Sequence, residues 1–196
     1  MKKFLYKIAE LISLIFNAWF VAAFTFLILL LANRPQNLLS LLIIAVIFGT
    51  AIPIAGIYFL MREGLTNDIH MTKRETRKLP FIIAIVSYLI GAILLHLFNA
   101  PLIVTALMVC YFGNSIVMGL VTTKWKISIH ASGITGPATV LAYSFGAVAL
   151  PMFLLIIPVG WSRLKMEHHT IMQIVAGAVL TVITTWIQLV LIFTLG

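Results

Sequence analysis

Long apolar runs separated by short polar stretches dominate this chain and limit the folds available to it. Hydrophobic residues make up 62% of the 196 residues and charged residues only 9%, and the mean hydropathy is +1.15. A membrane-spanning helix needs about 20 consecutive apolar residues, which leaves room for roughly six or seven crossings and almost no soluble domain. We predict one all-α integral membrane domain over residues 1–196, a polytopic bundle of about six to seven transmembrane helices.

Polar residues and turn residues between the apolar runs place the helices. The predicted helices cover about residues 9–32, 38–61, 80–97, 101–121 and 170–195. Gly49, Pro53 and Gly56 in the second helix predict a kink or close packing. We expect the first helix to be retained, because its apolar run continues without a clear cleavage site.

The segment 131–158 is ambiguous, because it is too long for one comfortable span and short for two. One helix would put the flanking polar stretches 122–130 and 159–169 on opposite faces of the membrane. A hairpin broken near Gly146 puts both on one face, which then holds the basic residues and leaves only Arg34 on the other. This asymmetry favours the hairpin, and we expect a plasma-membrane protein whose basic face is cytoplasmic.

The formal net charge of +8 raises the possibility of a nucleic-acid partner. However, the basic residues are scattered among short loops and form no long soluble basic face, so we expect no nucleic-acid partner. An anionic lipid surface or a phosphorylated substrate explains the charge better. The single Cys110 lies inside an apolar run and offers neither a disulfide framework nor a thiolate metal site.

Titratable residues collect where the last predicted helix begins, in the stretch GWSRLKMEHHTIMQIVAG. His169 lies at the helix start and Gln173 four residues later on the same face, while Arg163 precedes both. A helix N-terminus offers unpaired N–H donors and the positive end of a dipole, and arginine adds a planar donor fork. Together these features suit a phosphate.

Two further basic stretches repeat this pattern. In KWKISIHASGITGP, two lysines precede His130 and a Ser-Gly pair follows it at another predicted helix start. Glycine lets the backbone approach an anion, and serine can cap a helix or donate to a phosphoryl oxygen. In KRETRKLP, four basic residues precede Pro80. The candidate phosphate-binding residues in these stretches are Lys126, Ser128, Ser132, Gly133, Lys73, Arg74, Arg77 and Lys78.

The stretch WSRLKMEHHTIMQ resembles the third motif of the type 2 phosphatidic acid phosphatases, also called lipid phosphate phosphatases. That family is built as a bundle of membrane helices, and its third motif is S-R, five residues, H, three residues and D. Ser162, Arg163 and His169 match this motif, with Gln173 in place of the Asp.

The other two motifs of that family are matched in part, and all three occur in the family's order. The second motif, P-S-G-H, keeps its Ser and His in Ser128 and His130. The first motif is a Lys followed after six residues by Arg-Pro. Here Pro80 is present, Leu79 occupies the Arg position and Lys73 stands one residue too near.

The resemblance implies a membrane phosphatase that hydrolyses a lipid phosphate or diphosphate. By it, His169 is the nucleophile that forms a phosphohistidine, while Arg163 and one or two basic residues of 73–78 neutralise the transferred oxygens. His130 protonates the leaving alkoxide, and Gln173 hydrogen-bonds one ring nitrogen of the nucleophile. Neither a metal nor another cofactor is implied. The short loops favour an isoprenyl or similar single-tail substrate.

The main alternative is a non-catalytic lipid-phosphate binding or transport protein that keeps the phosphate pocket without an orienting carboxylate. A membrane prenyltransferase would need Asp-rich magnesium sites, and the chain has only one Asp, Asp68. A zinc hydrolase could draw on Asp68, His70, His168 and His169, but no H-E-x-x-H spacing supports it. A Ser-His-Asp hydrolase lacks its nucleophile elbow. The sequence leaves the oligomeric state open.

Overall fold

The computed structural model describes residues 2–66 and 74–195. Within them the chain is helical, with a π-helical turn at Ile47–Ala51 and 3-10 segments at Glu75–Arg77 and Gly146–Leu155. The α-helices of the described residues are α1 (Lys2–Ile15), α2 (Ala18–Asn33), α3 (Leu38–Val46), α4 (Ile52–Arg62), α5 (Lys78–Leu97), α6 (Leu102–Lys124), α7 (Ile129–Phe145), α8 (Ile156–Lys165) and α9 (Ile171–Leu195). Six helical stretches are long and apolar enough to cross a membrane, which confirms the predicted all-α membrane bundle.

The chain reverses direction at Gly146, as the hairpin interpretation predicts. Gly146 has φ 67° and ψ −143°, a conformation that glycine adopts far more readily than a residue with a Cβ atom. The chain then returns through α8, so that Arg163 near its end contacts His130 at the start of α7. The apolar stretch Ile129–Lys165 is therefore a hairpin whose two ends lie together.

At one end of the bundle, Asn37 Nδ2 donates to the backbone oxygen of Phe98. Arg34 is the only described Lys or Arg residue at this end. The other end is held together by contacts such as that between Arg77 and the backbone of Ile127. We call it the basic end, and its basic residues are Lys2, Lys3, Lys7, Arg62, Arg74, Arg77, Lys78, Lys124, Lys126, Arg163 and Lys165. The predicted charge asymmetry is confirmed for these residues.

The predicted single first helix over residues 9–32 is wrong in two respects. The helix begins at Lys2, and Asn17 divides it into α1 and α2. Asn17 has an extended backbone, with φ −66° and ψ 141°, and its side chain accepts a hydrogen bond from the backbone N–H of Trp19. An asparagine side chain competes with helical backbone bonding and favours such an N-cap. The break allows α1 to pack along α8.

The predicted close packing in the second span is confirmed. The π-helical turn separates α3 from α4 just before Pro53. A Cβ atom on Gly49 would lie 3.0 Å from its nearest neighbouring side chain, and one on Gly56 would lie 2.7 Å away. Small residues at such points let membrane helices approach closely.

Asn114 anchors a hydrogen-bonded network inside the bundle. Its Nδ2 donates to Thr185 Oγ1 over 2.8 Å. Its Oδ1 accepts from Thr184 Oγ1 over 2.7 Å and from Gln188 Nε2 over 3.0 Å. Polar side chains between membrane helices need such internal partners, because lipid offers none. The network ties α6 to α9, the helix that begins beside His169.

Candidate active site

Four segments meet at the basic end and form a polar cluster. They are the 3-10 turn before α5, the start of α7, the end of α8 and the start of α9. Arg77 Nη1 donates to the backbone oxygen of Ile127 over 2.9 Å. The backbone N–H of Ser128 donates to the backbone oxygen of Gln173 over 3.1 Å. These bonds fix the starts of α7 and α9 relative to each other and to the 3-10 turn.

Thr170 and Gln173 form a capping box at the start of α9. Gln173 Oε1 accepts the backbone N–H of Thr170 over 3.2 Å, and the backbone N–H of Gln173 donates to Thr170 Oγ1 over 3.4 Å. His169 Nδ1 lies 3.1 Å from the same Oε1. Because the backbone N–H of Thr170 requires an acceptor, the side-chain oxygen of Gln173 must occupy this position, and Nδ1 of His169 must carry the proton.

The other ring nitrogen of His169, Nε2, therefore keeps its lone pair. No described residue forms a hydrogen bond with it. The side chain of His169 is only 9% exposed. The nitrogen with the lone pair is thus fixed in orientation by the capping box and largely withdrawn from solvent.

The surroundings of His169 favour its neutral form. Burial is the largest cause, and the pKa of His169 falls from 6.5 to about 3. Three positive charges act in the same direction, those of Arg77, Lys126 and Arg163. The hydrogen bond to Gln173 opposes the shift. Since the pKa lies well below 7, the imidazole is neutral at neutral pH.

We expect His169 to stay neutral in the folded protein down to at least about pH 5, where an exposed histidine is mostly protonated. The proton should reside on Nδ1. Heteronuclear NMR of histidine-labelled protein in detergent reports both the titration and the tautomer, and comparison with His169→Asn assigns the resonances. Titration of His169 near pH 6.5, or a proton on Nε2, would contradict this hydrogen-bond assignment.

Arg163 is buried in the cluster, with 1% of its surface exposed, and no described carboxylate pairs with it. Its Nη1 lies 3.3 Å from Nδ1 and 3.2 Å from Nε2 of His130. Its Nη2 donates to Met166 Sδ over 3.2 Å, while its buried Nε has no hydrogen-bond partner among the described residues. A buried cation with an unsatisfied donor is costly unless an anion completes its coordination.

Three of the predicted phosphate-binding residues have structural contacts. Ser128 Oγ accepts the backbone N–H of Ala131 and caps α7. Ser132 Oγ accepts a hydrogen bond from Thr181 Oγ1 over 2.7 Å. Gly133 packs against α2, where a Cβ atom would collide. These contacts hold α7 against α2 and α9, and they account for the small side chains at these positions.

The basic stretch before α5 is divided between two surfaces. Arg77 is 2% exposed and belongs to the cluster. Arg74 and Lys78 instead line a groove between α5 and α6. Residues considered above that lie outside the described part of the chain are Lys73, Asp68 and His70. Among the described residues, no three His, Cys, Asp or Glu side chains are grouped so that they could hold a metal ion.

Three neighbours of the cluster were not predicted from the sequence. Thr170 completes the capping box, and the T-x-x-Q spacing before an apolar run is a known signature of that motif. Met166 accepts from Arg163, and Tyr6 in α1 lies close enough to Arg163 to interact with it electrostatically. No sequence signal identifies the last two, because both contacts depend on how α1 and α8 pack.

Comparisons of the chain with protein-family models, with curated proteins and with solved structures found no match.

Proposed function

We propose that this protein is a membrane phosphatase that hydrolyses a lipid phosphate or diphosphate through a phosphohistidine intermediate at His169. The observation that carries the proposal is the state of that side chain. Gln173 holds Nδ1, no described residue donates to the lone pair of Nε2, and burial keeps the ring neutral. A desolvated, oriented nitrogen of this kind is a competent nucleophile.

The cations of the cluster supply the charge that phosphoryl transfer requires. Catalysis of this reaction rests mainly on positioning and on neutralising the transferred oxygens. Among the described residues the buried Nε donor of Arg163 has no partner, and Arg77 and Lys126 lie close enough to His169 to depress its pKa. A bound phosphate would give Arg163 the anionic partner that the described residues do not provide.

In the first step, Nε2 of His169 forms a bond to phosphorus while the bond from phosphorus to the lipid oxygen breaks. His130, which contacts Arg163, gives a proton to the leaving oxygen. The products are the lipid alcohol, or the lipid monophosphate from a diphosphate, and phosphohistidine.

In the second step, water attacks phosphorus and His130 takes a proton from it. The bond from phosphorus to Nε2 of His169 breaks, inorganic phosphate leaves, and the nitrogen regains its lone pair. His130 thus acts as acid in the first step and as base in the second, which returns both histidines to their starting states.

The surroundings of the cluster support a particular substrate class. The helices expose apolar side chains, so a lipid tail would reach the site from the bilayer. The connection between α8 and α9 is short, which favours a small headgroup and a single-tail lipid such as an isoprenyl phosphate. The charge asymmetry of the bundle supports a cytoplasmic location for the basic end in the plasma membrane.

Phosphate release by the purified protein tests the proposal. The assay uses detergent, EDTA and a panel of lipid phosphates and diphosphates. We expect release that resists EDTA, together with an acid-labile phosphoprotein that can be trapped during turnover. Tight binding of a lipid phosphate without release from any substrate would instead favour the non-catalytic binding or transport protein.

Replacement of Gln173 by glutamate is expected to raise the rate of phosphohistidine formation by about 10-fold, equivalent to about 1.4 kcal/mol of transition-state stabilisation. Glutamate preserves the capping box and accepts from His169 Nδ1, and its charge stabilises the imidazolium formed when Nε2 bonds to phosphorus. The measurement is the single-turnover rate of phosphohistidine formation. Gln173→Ala serves as the matched comparison and should be slower than wild type, because it loses the ring orientation. A glutamate variant slower than wild type would argue against a cationic imidazole in the reaction.

A further inference from the structure

A groove of about 450 Å³ runs between α5 and α6 at the basic end, outside the cluster that contains His169. We call it the α5–α6 groove. Its walls are apolar and include Phe81, Ile85, Ile116 and Leu120. Leu120 is 66% exposed on the outside of the bundle, so the groove opens sideways towards the bilayer.

The end of the α5–α6 groove nearest the connecting loops is polar and carries a net positive charge. Arg74 and Lys78 line it, and the charge of Arg74 is offset by Glu75, whose Oε1 lies 3.4 Å from Arg74 Nε. No described carboxylate forms an ion pair with Lys78. Lys78 is also the first residue of α5, where the helix dipole adds positive potential.

Thr122 gives a second indication of a ligand in this groove. It lines the groove, it is only 3% exposed, and its hydroxyl has no hydrogen-bond partner among the described residues. Leaving a buried hydroxyl unpaired is unfavourable. Water or the ester oxygens of a lipid could satisfy it.

We propose that the α5–α6 groove binds an anionic phospholipid as a non-substrate lipid. Its headgroup phosphate would contact Lys78 and Arg74, and one acyl chain would lie between α5 and α6. A negatively charged headgroup complements the net positive polar end, and an acyl chain matches the apolar walls. Gly119 also lines the groove, and a Cβ atom there would already be in contact with Phe81, at 3.5 Å, so a larger side chain at this position would take up part of the groove.

A lipid in this groove would also bear on the cluster. Arg74 Nη1 donates to the backbone oxygen of Lys124 over 2.7 Å, and Arg77 Nη1 donates to that of Ile127 over 2.9 Å. The two arginines hold opposite ends of the connection between α6 and α7. A headgroup on Arg74 would therefore steady the segment that leads to His130.

Photolabelling locates the lipid without relying on enzyme activity. The full-length protein is placed in nanodiscs that contain a trace of phosphatidylglycerol or of phosphatidylcholine, each with a photoreactive acyl chain. Labelled residues are then mapped by mass spectrometry. We expect labelling by phosphatidylglycerol to concentrate on Ile85, Ile116 and Leu120, and to exceed that by phosphatidylcholine about fivefold, the effect of about one surface charge. Exposed Ile183 and Ile187 on α9 report the background.

Two variants separate the apolar and the charged halves of the groove. Gly119→Leu fills the space for the chain and should reduce labelling by both lipids, while Lys78→Gln should remove about fivefold of the preference for phosphatidylglycerol. Lys165→Gln changes a basic residue at the same end outside the groove and should change neither quantity. Equal labelling by the two lipids, labelling at the α9 background, or insensitivity to both groove variants would each overturn the proposal. Because the readout is binding, a failure here leaves the proposed phosphatase activity untouched.

Discussion

Replacement of His169 by asparagine is expected to reduce phosphate release by on the order of 10⁴-fold or more, as loss of a covalent nucleophile does in other enzymes. Asparagine is polar and neutral, as the buried imidazole is, so the change removes the nucleophile without adding a charge to the cluster. The measurement is the steady-state rate with the best substrate of the panel. The trapped phosphoprotein should disappear in the same variant.

His168→Asn is the matched control, because it makes the same exchange one position earlier in the chain. It should leave the rate within about threefold of wild type, the scale of substitutions outside the reacting groups. Thermal unfolding in detergent checks that both variants are folded. If His169→Asn retained substantial release and the phosphoprotein, a different residue would carry the phosphoryl group and the proposed mechanism would be wrong.

The membrane-spanning helices were predictable because lipid imposes the same requirement on every segment. Each segment must hydrogen-bond its own backbone groups and must be long enough to cross the bilayer. The hairpin at Gly146 was also predictable, because the distribution of basic residues favoured a hairpin over a single helix for segment 131–158. The break at Asn17 was not predicted, because hydropathy passes smoothly through it. It depends on a side chain that prefers to cap a new helix, and on α8 as a packing partner for α1.

The candidate site was predictable where the chemistry is local. The spacing places His169 and Gln173 on one face, the motif resemblance implies a hydrogen bond between them, and that bond is present. The sequence did not predict which basic residues before α5 join the cluster and which line the α5–α6 groove, because side chains only a few residues apart face different surfaces. Whether Arg77 or Lys78 joins the cluster depends on how the 3-10 turn meets the start of α7, which no local pattern encodes.

Replacement of Arg163 by methionine is expected to lower phosphate release by about 100- to 1000-fold, the effect of losing one donor to a transferred oxygen. The same change should raise the unfolding temperature of the substrate-free protein. Arg163 is 1% exposed, has no described carboxylate partner and leaves Nε unsatisfied, so an apolar side chain of similar length removes an uncompensated desolvation cost. Thermal unfolding and phosphate release are measured on the same detergent preparation.

Opposite signs for the two quantities distinguish a ligand-binding cation from a structural one. If Arg163 served only to hold Met166 and His130 in place, both stability and activity would fall in the methionine variant. Arg163→Lys keeps a positive charge but loses the planar donor fork, so it should recover only part of the rate. Inorganic phosphate or its analogue vanadate should stabilise the wild type more than Arg163→Met, because only the wild type has the buried donor. Equal stabilisation of both proteins would show that the anion binds elsewhere, and would remove Arg163 from the proposed site.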